Sequence, residues 1–516
     1  MVKTKENLRM TWLLPAQNFI KRRENTLGWL TLGILTLVGL GLRLYHIESI
    51  PAVWDEVFNY NVARQDVSTI INTVSNAIEP PLYYFLFRLW SFLCGGANSE
   101  FNVRFLSALI GTATIPVSYW LFRQVVGRWW ALVGAAMVAV NGYHLYYSQY
   151  AKNYVLVTLF AFASLALFLK IISDFKPGKF GLDWRWAAWA LVNTLIAYTH
   201  YFSVYVVIGE YVMLAILLAI GKLPRLRTLL YTVGSLFVSL ILYLPWLPVA
   251  LRSLHERVSD PGWLYYKLDF DFFYRQAAGF PNLFLGLPLK DEWLFRMALA
   301  LAVGGAAAGY AAWRLRGRTT TGKNRVVALW ILLPAIITPY IGVMIYTNSQ
   351  LETRNFLGGA GAVIYTLLLL MGQRLGQWKR WAGVIVLLFL SIISIYSLQY
   401  YYRTATHGDD YRVMVAQIRQ LESQQPRPAL MIPMKPVEDV LRFYMRDEEL
   451  RDILRLPQPP ESVIVPPQGL VIAVDQRFAD IDWDIKRLIG HLQTYNRKMG
   501  HYPFPGGQVF YFLPPE

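Results

Sequence analysis

The chain has 516 residues, of which 55% are hydrophobic, 15% aromatic and only 16% charged, and its mean hydropathy is +0.33; this balance excludes an ordinary soluble globular protein. The net charge of +16 does not point to nucleic acid, because the basic residues fall mainly in short stretches between apolar segments rather than along one groove. A single cysteine, Cys94, excludes an intrachain disulfide and leaves the compartment unread.

Apolar stretches of about 17–25 residues recur, each long enough to cross a bilayer as a helix. The first span is predicted over 29–47, behind Lys21, Arg22 and Arg23, which assign the preceding segment to the cytoplasm. No small-residue cleavage pattern follows it, so it is read as uncleaved. Further spans are predicted at 104–122, 129–148, 154–172, 186–201, 202–220, 227–250, 293–313, 327–346, 356–372 and 381–400. Basic residues then alternate between loops: Arg123 and Arg128, the 170–185 group, Lys222 with Arg225 and Arg227, the 314–325 group, and Arg374 with Lys379 and Arg380. All are cytoplasmic if this list holds, as the positive-inside rule requires.

The segment 82–93 is apolar but short, with Arg88 in its middle. Counting it as a span would move every later basic cluster outside, so it is read as a helix lying at the outer interface or only partly inserted. The count is then about eleven spans, with thirteen as the upper limit, the N-terminus in and the C-terminus out. From about Tyr402 helical periodicity at 411–421, 438–445 and 483–492 alternates with short apolar runs at 429–432, 470–474 and 508–513. That alternation predicts a small extracytoplasmic α/β domain over 401–516, after a membrane domain over 1–400 whose first outer loop is 48–103.

This topology brings the unusual polar residues to the outer face. Asp55 and Glu56 lie in the first outer loop with Glu79-Pro80-Pro81, and Arg104 opens the second span. The 148–154 stretch, with Gln149, Lys152 and Tyr154, joins the third and fourth spans, and His200 joins the fifth and sixth. His255 falls in the outer 252–291 loop, and Arg354 begins the tenth span. Clustering of charge at a water–lipid boundary suggests a site for an amphipathic substrate with a polar, anionic head. Each residue also has an ordinary use: Arg104, Lys152 and Arg354 fit snorkelling cations, the prolines fit helix entry, and the aromatics fit an interfacial belt.

The ordered set of a span, Asp55-Glu56, Pro80-Pro81-Leu82-Tyr83-Tyr84, the Arg104 span and Ser148-Gln149-Tyr150-Ala151-Lys152-Asn153-Tyr154 resembles the GT-C glycosyltransferases. More narrowly it is similar to the protein O-mannosyltransferase-like group (family 39) and to the bacterial aminoarabinose transferases that modify lipid A. The resemblance is densest over 29–170. It implies a multi-span α-helical enzyme of the cell membrane that moves a sugar from a polyprenyl-phosphate donor to an acceptor on a protein, lipid or glycan, with inversion, on the outer face. It further implies Asp55 as general base with Glu56 beside it, and Arg104, Lys152 and Arg354 as contacts to the donor phosphate. It places Glu79 near the active centre, and Gln149, Tyr154, Tyr83 and His200 are read with it as candidate substrate-binding residues.

Two positions depart from the pattern. Glu79 stands where many relatives have His, and Lys152 where Arg is usual, so a phosphate would meet a point charge rather than a bidentate fork. A divalent metal is left open, with Glu79 and His255 as candidate ligands, since no spaced ligand cluster announces one. A transporter or lipid flippase is the alternative. It would carry its charges inside broken helices near the midplane, often with internal repeats, whereas here they sit at the outer ends of spans.

Overall fold

The computed structural model describes residues 25–77, 79–94, 98–174, 183–219, 223, 225–259, 332, 335–336, 358–404, 410–424, 426–450, 453–456, 459–475, 482–495 and 499–513. The predicted span at 293–313, nearly all of that at 327–346, Arg354, and the basic residues at 21–23, 176, 179, 222 and 314–325 lie outside the described residues.

Helix α1 (Asn25–Leu44) is followed by three short helices, α2 (Trp54–Ala63), α3 (Val67–Asn76) and α4 (Leu82–Leu93). At 12 residues α4 is about 18 Å long, too short to cross a bilayer; it buries Tyr83, Tyr84, Phe87 and Ser91 and exposes Leu89, Phe92 and Leu93. Asp66 caps α3 by accepting from the Thr69 N–H, and Ser99 caps α5 (Glu100–Arg123) by accepting from the Asn102 N–H.

The predicted third span is not one helix. It divides at Asn141 into α6 (Arg128–Val140) and α7 (Gly142–Ser148). Asn141 turns to extended geometry, its Oδ1 accepts from the His144 N–H, and its Nδ2 donates to Tyr365 Oη at 2.8 Å. Next come α8 (Tyr154–Asp174), α9 (Trp184–Thr199) and α10 (Val204–Ala219). The predicted 227–250 span also breaks, into α11 (Arg225–Tyr243) and the amphipathic α12 (Leu247–Ser259). Pro245 and Pro248 cannot supply the N–H groups that a continuous helix needs there. Helices α13 (Gly359–Trp378) and α14 (Arg380–Thr404) form a tight hairpin in which a Cβ on Gly383 would stand 2.7 Å from the Gly376 Cα.

Six helices among the described residues are long and apolar enough to cross a membrane: Asn25–Leu44, Glu100–Arg123, Tyr154–Ser173, Tyr201–Ala219, Leu226–Tyr243 and Arg380–Arg403. Their centre is an apolar core built around α5, α6, α8 and α13, including Phe122, Ala135, Phe168, Trp189 and Leu369. The outer flanks of α1, α11 and α14 expose rows of Leu, Ile and Val, as lipid-facing helices do.

Beyond α14 the chain forms α15 (Tyr411–Glu422), β1 (Ala429–Met431), α16 (Lys435–Tyr444), β2 (Leu470–Asp475), α17 (Trp483–Tyr495), β3 (Met499–Phe504) and β4 (Gly507–Phe512). The sheet order is β1-β2-β4-β3, parallel between β1 and β2 and antiparallel elsewhere. Strand β3 carries Pro503 and was not predicted; it is an edge strand, where a missing N–H is tolerated. The β3–β4 turn is Pro505-Gly506, and Gly506 supplies the φ of +88° that a type II turn demands. Residues of this sheet share one apolar core with Ala52, Val57, Tyr60, Ala63, Tyr83 and Phe87 of the first loop. The sheet and the first loop therefore lie at the same end of the helix bundle.

Candidate active site

Sequence places two carboxylates side by side in the first turn of α2, where the helix N-terminus favours negative charge. Helix geometry sends them to different environments. Glu56 is fully buried and its two oxygens accept from Arg104 Nε at 2.8 Å and Arg104 Nη2 at 2.6 Å. They also accept from the N–H groups of Ala151 at 3.0 Å and Val53 at 3.3 Å. Arg104 is as buried, and its remaining N–H groups donate to the carbonyls of Ile47, Ile50 and Pro51 at 2.6–2.9 Å. All five donors of a guanidinium are thus used inside the protein. The expectation that Arg104 meets the donor phosphate gives way to a different geometry: it locks the segment entering α2 onto α5. Glu56 likewise lacks the open face a catalytic group needs.

Asp55 faces the other way, with its side chain 40% exposed. Its Oδ2 accepts from Tyr150 Oη at 2.9 Å, and its Oδ1 lies 3.6 Å from Lys152 Nζ. Lys152 also reaches Glu79 Oε1 at 3.2 Å. Its side chain is 10% exposed and that of Glu79 30%, so one ammonium is bracketed by two partly open carboxylates. Burial works against the lysine charge, but Glu79 and Asp55 outweigh it and hold the ammonium above the ordinary lysine range. Burial, then the Asp55 and Glu56 carboxylates, push the Tyr150 phenol well up, so it is a neutral donor. Tyr84 Oη stands 2.6 Å from Glu79 Oε2 and 2.7 Å from Asn59 Oδ1, and its single proton serves one of them at a time.

The framework beneath this cluster is one residue. Ala151 gives its N–H to Glu56 and its carbonyl to Asn59 Nδ2 at 2.8 Å, two α2 side chains almost one turn apart. Held there, the 149–153 segment presents Tyr150 and Lys152 on either side of Asp55. Asn153 Nδ2 ties the same segment to the Thr199 carbonyl at 2.7 Å.

Other expected residues divide. Tyr154 is partly open, with its ring 5.2 Å from that of Tyr147 and 5.8 Å from that of His200. His200, also partly open, ends α9 with Nδ1 3.3 Å from Ser203 Oγ. With Tyr146, stacked on Tyr150 at 5.9 Å, these rings make an aromatic wall leading away from Asp55. Tyr83 and Gln149 are turned into the framework. Tyr83 is buried and shares a 2.8 Å hydrogen bond with Ser107. Gln149 is buried, donates to the carbonyls of Arg43 and Tyr45 at 2.7 and 2.9 Å, and accepts from Tyr401 Oη; it joins α1 to α14. His255 is exposed on α12, one turn from Arg252, which donates to the Ser75 carbonyl at 2.6 Å. Among the described residues no group of three His, Cys, Asp or Glu side chains could hold a metal ion, and the cation between Asp55 and Glu79 is Lys152.

Several residues escaped the sequence reading. Tyr150, Asn59 and Tyr84 carry no charge and stand out only when paired. Arg43 is fully buried, with its donors on Ser148 Oγ, His144 Nδ1 and the carbonyls of Gly39, Val138 and Ala139. Its apolar surroundings in the first span hid it. Glu210 is buried in mid-span and accepts from Ser164 Oγ and Trp189 Nε1, both at 2.7 Å. Tyr444 Oη accepts from the Ala52 N–H at 2.7 Å and donates to Glu100 at 2.8 Å, and Arg412 pairs with Glu100 at 2.5 Å. The sheet region is thereby fastened to both ends of the first loop.

No protein-family model and no curated protein matches the chain. Solved structures do. ArnT from Cupriavidus metallidurans in the apo state is similar over 94% of this chain and 98% of its own, with a TM-score of 0.55 at 12% identity. Its form bound to undecaprenyl phosphate gives 0.53 at 13% identity over the same shares. The archaeal oligosaccharyltransferase AglB from Archaeoglobus fulgidus, in complex with an inhibitory peptide and a dolichol-phosphate, gives 0.54 at 14% identity over 94% of this chain and 74% of its own. At these identities the likeness shows the fold, and that fold is GT-C, as the sequence resemblance implied. With its apolar helices, the chain is an integral membrane protein.

Proposed function

We propose that this protein is a membrane glycosyltransferase that moves a sugar from a polyprenyl-phosphate carrier to an acceptor hydroxyl, with Asp55 as general base and inversion at the anomeric carbon. One observation carries the reading: of two adjacent carboxylates, Glu56 is consumed by the framework while Asp55 is left open beside a neutral phenol and a bracketed lysine. A ligated polyprenyl phosphate in a structure of the same fold supports the donor class.

The chemistry follows from the geometry. Asp55 accepts the acceptor's proton as the hydroxyl oxygen bonds to the anomeric carbon, and the bond from that carbon to the phosphate oxygen breaks. The departing phosphate takes the electron pair. Tyr150 holds Asp55 Oδ2 and leaves Oδ1, 3.6 Å from Lys152, to take the proton, a general-base arrangement worth about 10²–10⁴-fold. Lys152 is the candidate for the growing phosphate charge, turning from Glu79 toward it, and Arg354 remains a proposed second contact. Glu79, Tyr154 and His200 line the substrate side. Arg104 and Glu56 act as positioning residues.

Sidedness has its own support. Arg123, Arg128, Lys170, Arg185, Arg227, Arg374, Lys379 and Arg380 all sit at the helix ends opposite Asp55, so the positive-inside rule assigns the site and the sheet to the extracytoplasmic face. The deciding experiment is Asp55→Asn in purified protein. Sugar transfer should be lost with thermal stability kept, and lipids co-purifying with the variant should include the intact donor by mass spectrometry. Undiminished transfer would remove Asp55 as base.

A further inference from the structure

Helix α4 and the C-terminal end of α2 enclose an open cavity of about 600 Å³ lined by Arg64, Phe85, Arg88, Leu89, Ser91 and Phe92. Its composition is two-sided. Arg64 and Arg88 stand over it as cations, and among the described residues no carboxylate lines it. The acid nearest in sequence, Asp66, is turned onto α3, accepting from the Thr69 N–H and from the Ser68 and Thr69 hydroxyls. Among the described residues each arginine donates one hydrogen bond to the protein: Arg64 donates to Asn98 Oδ1 at 2.9 Å and also lies 5.1 Å over the Tyr60 ring, and Arg88 donates to the Gln65 carbonyl. A guanidinium has five N–H donors, so both retain donors that can turn to the cavity.

The other side is apolar and continuous with the surface that α4 shows to its surroundings, where Leu89 is 57%, Phe92 83% and Leu93 68% exposed. On an integral membrane protein such a face belongs in lipid, and α4, too short to span, lies along the bilayer surface. Two cations above an apolar floor at that depth match one chemistry: an anionic headgroup with its chains running downward.

We propose that this cavity binds an anionic phospholipid, its phosphate between Arg64 and Arg88 and its acyl chains along Phe85, Leu89 and Phe92. A zwitterionic lipid brings a quaternary ammonium toward the same two cations and is disfavoured. The carrier of the transferred sugar is not the occupant: its phosphate must reach Asp55, which lies nine residues and about 13 Å of helix from Arg64. The bound phospholipid clamps the end of α2 opposite Asp55 and seats α4 on the leaflet. Because the readout below is lipid binding, it stands apart from the transfer reaction.

The test uses the full-length protein in detergent and native mass spectrometry with phosphatidylglycerol and phosphatidylcholine of matched chains. Wild type should bind the first phosphatidylglycerol about tenfold more tightly than phosphatidylcholine. Arg64→Gln/Arg88→Gln should erase that preference, while Arg123→Gln/Arg128→Gln, at the opposite end, should keep it. If the first double variant fails to fold, Leu89→Glu, which sets a carboxylate at the mouth without altering either arginine, must lower the preference in its place. Equal binding of both lipids by wild type, or a preference surviving in these cavity variants, overturns the proposal. Stoichiometric displacement of phosphatidylglycerol by undecaprenyl phosphate overturns it too, by giving the cavity to the carrier.

Discussion

Adjacent residues on a helix point about 100° apart, and at positions 55 and 56 that rotation separates the proposed base from the framework. Glu56 answers a buried arginine, so Glu56→Gln leaves the Arg104 charge without its partner. Such a break costs about 3–5 kcal/mol. Thermal unfolding of Glu56→Gln should therefore show a large fall in Tm, whereas Asp55→Asn, at a half-open position, should leave Tm nearly unchanged and remove activity. The reverse pattern would exchange the two roles. Lys152 supplies a pH prediction. Its folded pKa is raised, so its contribution to stability is fully present below the ordinary value of 10.5 and is lost only as pH rises through the higher folded value. The lysine stays charged across neutral pH, and kcat/KM for Lys152→Arg, measured between about pH 6 and 9, should follow the wild-type profile in shape. The opening carboxylate pair was legible in the sequence because charge beside an apolar span is costly. Its division was not, since Arg104 lies 48 positions away and only the tertiary fold shows which carboxylate it meets.

Elements were legible where the pattern is local. The periodic segments beyond Tyr402 became helices and strands within a few residues of their expected limits, and the reading of 82–93 as one short helix matches the bounds of α4. Hydropathy failed where one polar residue turned the chain: at Asn141 the apolar run continues on both sides, and only the cap marks the break between α6 and α7. That break leads into the 149–153 segment, whose seat on α2 depends on Asn59. Asn59→Ala removes the donor to the buried Ala151 carbonyl and should cost about 1–3 kcal/mol. Because the displaced segment carries Lys152, kcat/KM should fall as well, and an effect confined to stability would argue against this positioning role. In the α13–α14 hairpin, Gly383→Val should lower Tm and yield, since its side chain meets the Gly376 backbone.

At the scale of the whole molecule, the sheet region is part of the site's support. Tyr444→Phe takes away both the acceptor for the Ala52 N–H and the donor to Glu100. It should reduce kcat measurably although Tyr444 belongs to the sheet region and not to the proposed reacting groups; unchanged kcat with normal folding would make the sheet a mere appendage. A reporter placed after Glu516 should be accessible from the same side as one in the 48–103 loop, because the two regions share a core. The common side follows already from the predicted span count, but the docking does not: composition announces an α/β tail, and nothing in it tells where the tail docks.

The bond between Ala52 and Tyr444 also sets a timetable. Its partners are 392 residues apart, and a ribosome adding about 5–20 residues per second needs roughly 20–80 s to make the second after the first. The segment leading into the Asp55 helix is thus finished long after it is synthesised. During that interval Glu56 can already meet Arg104 and Ala151, whereas the tie from the segment before α2 to Tyr444 is still missing, so the carboxylates are sorted early and their support from the sheet region is completed late.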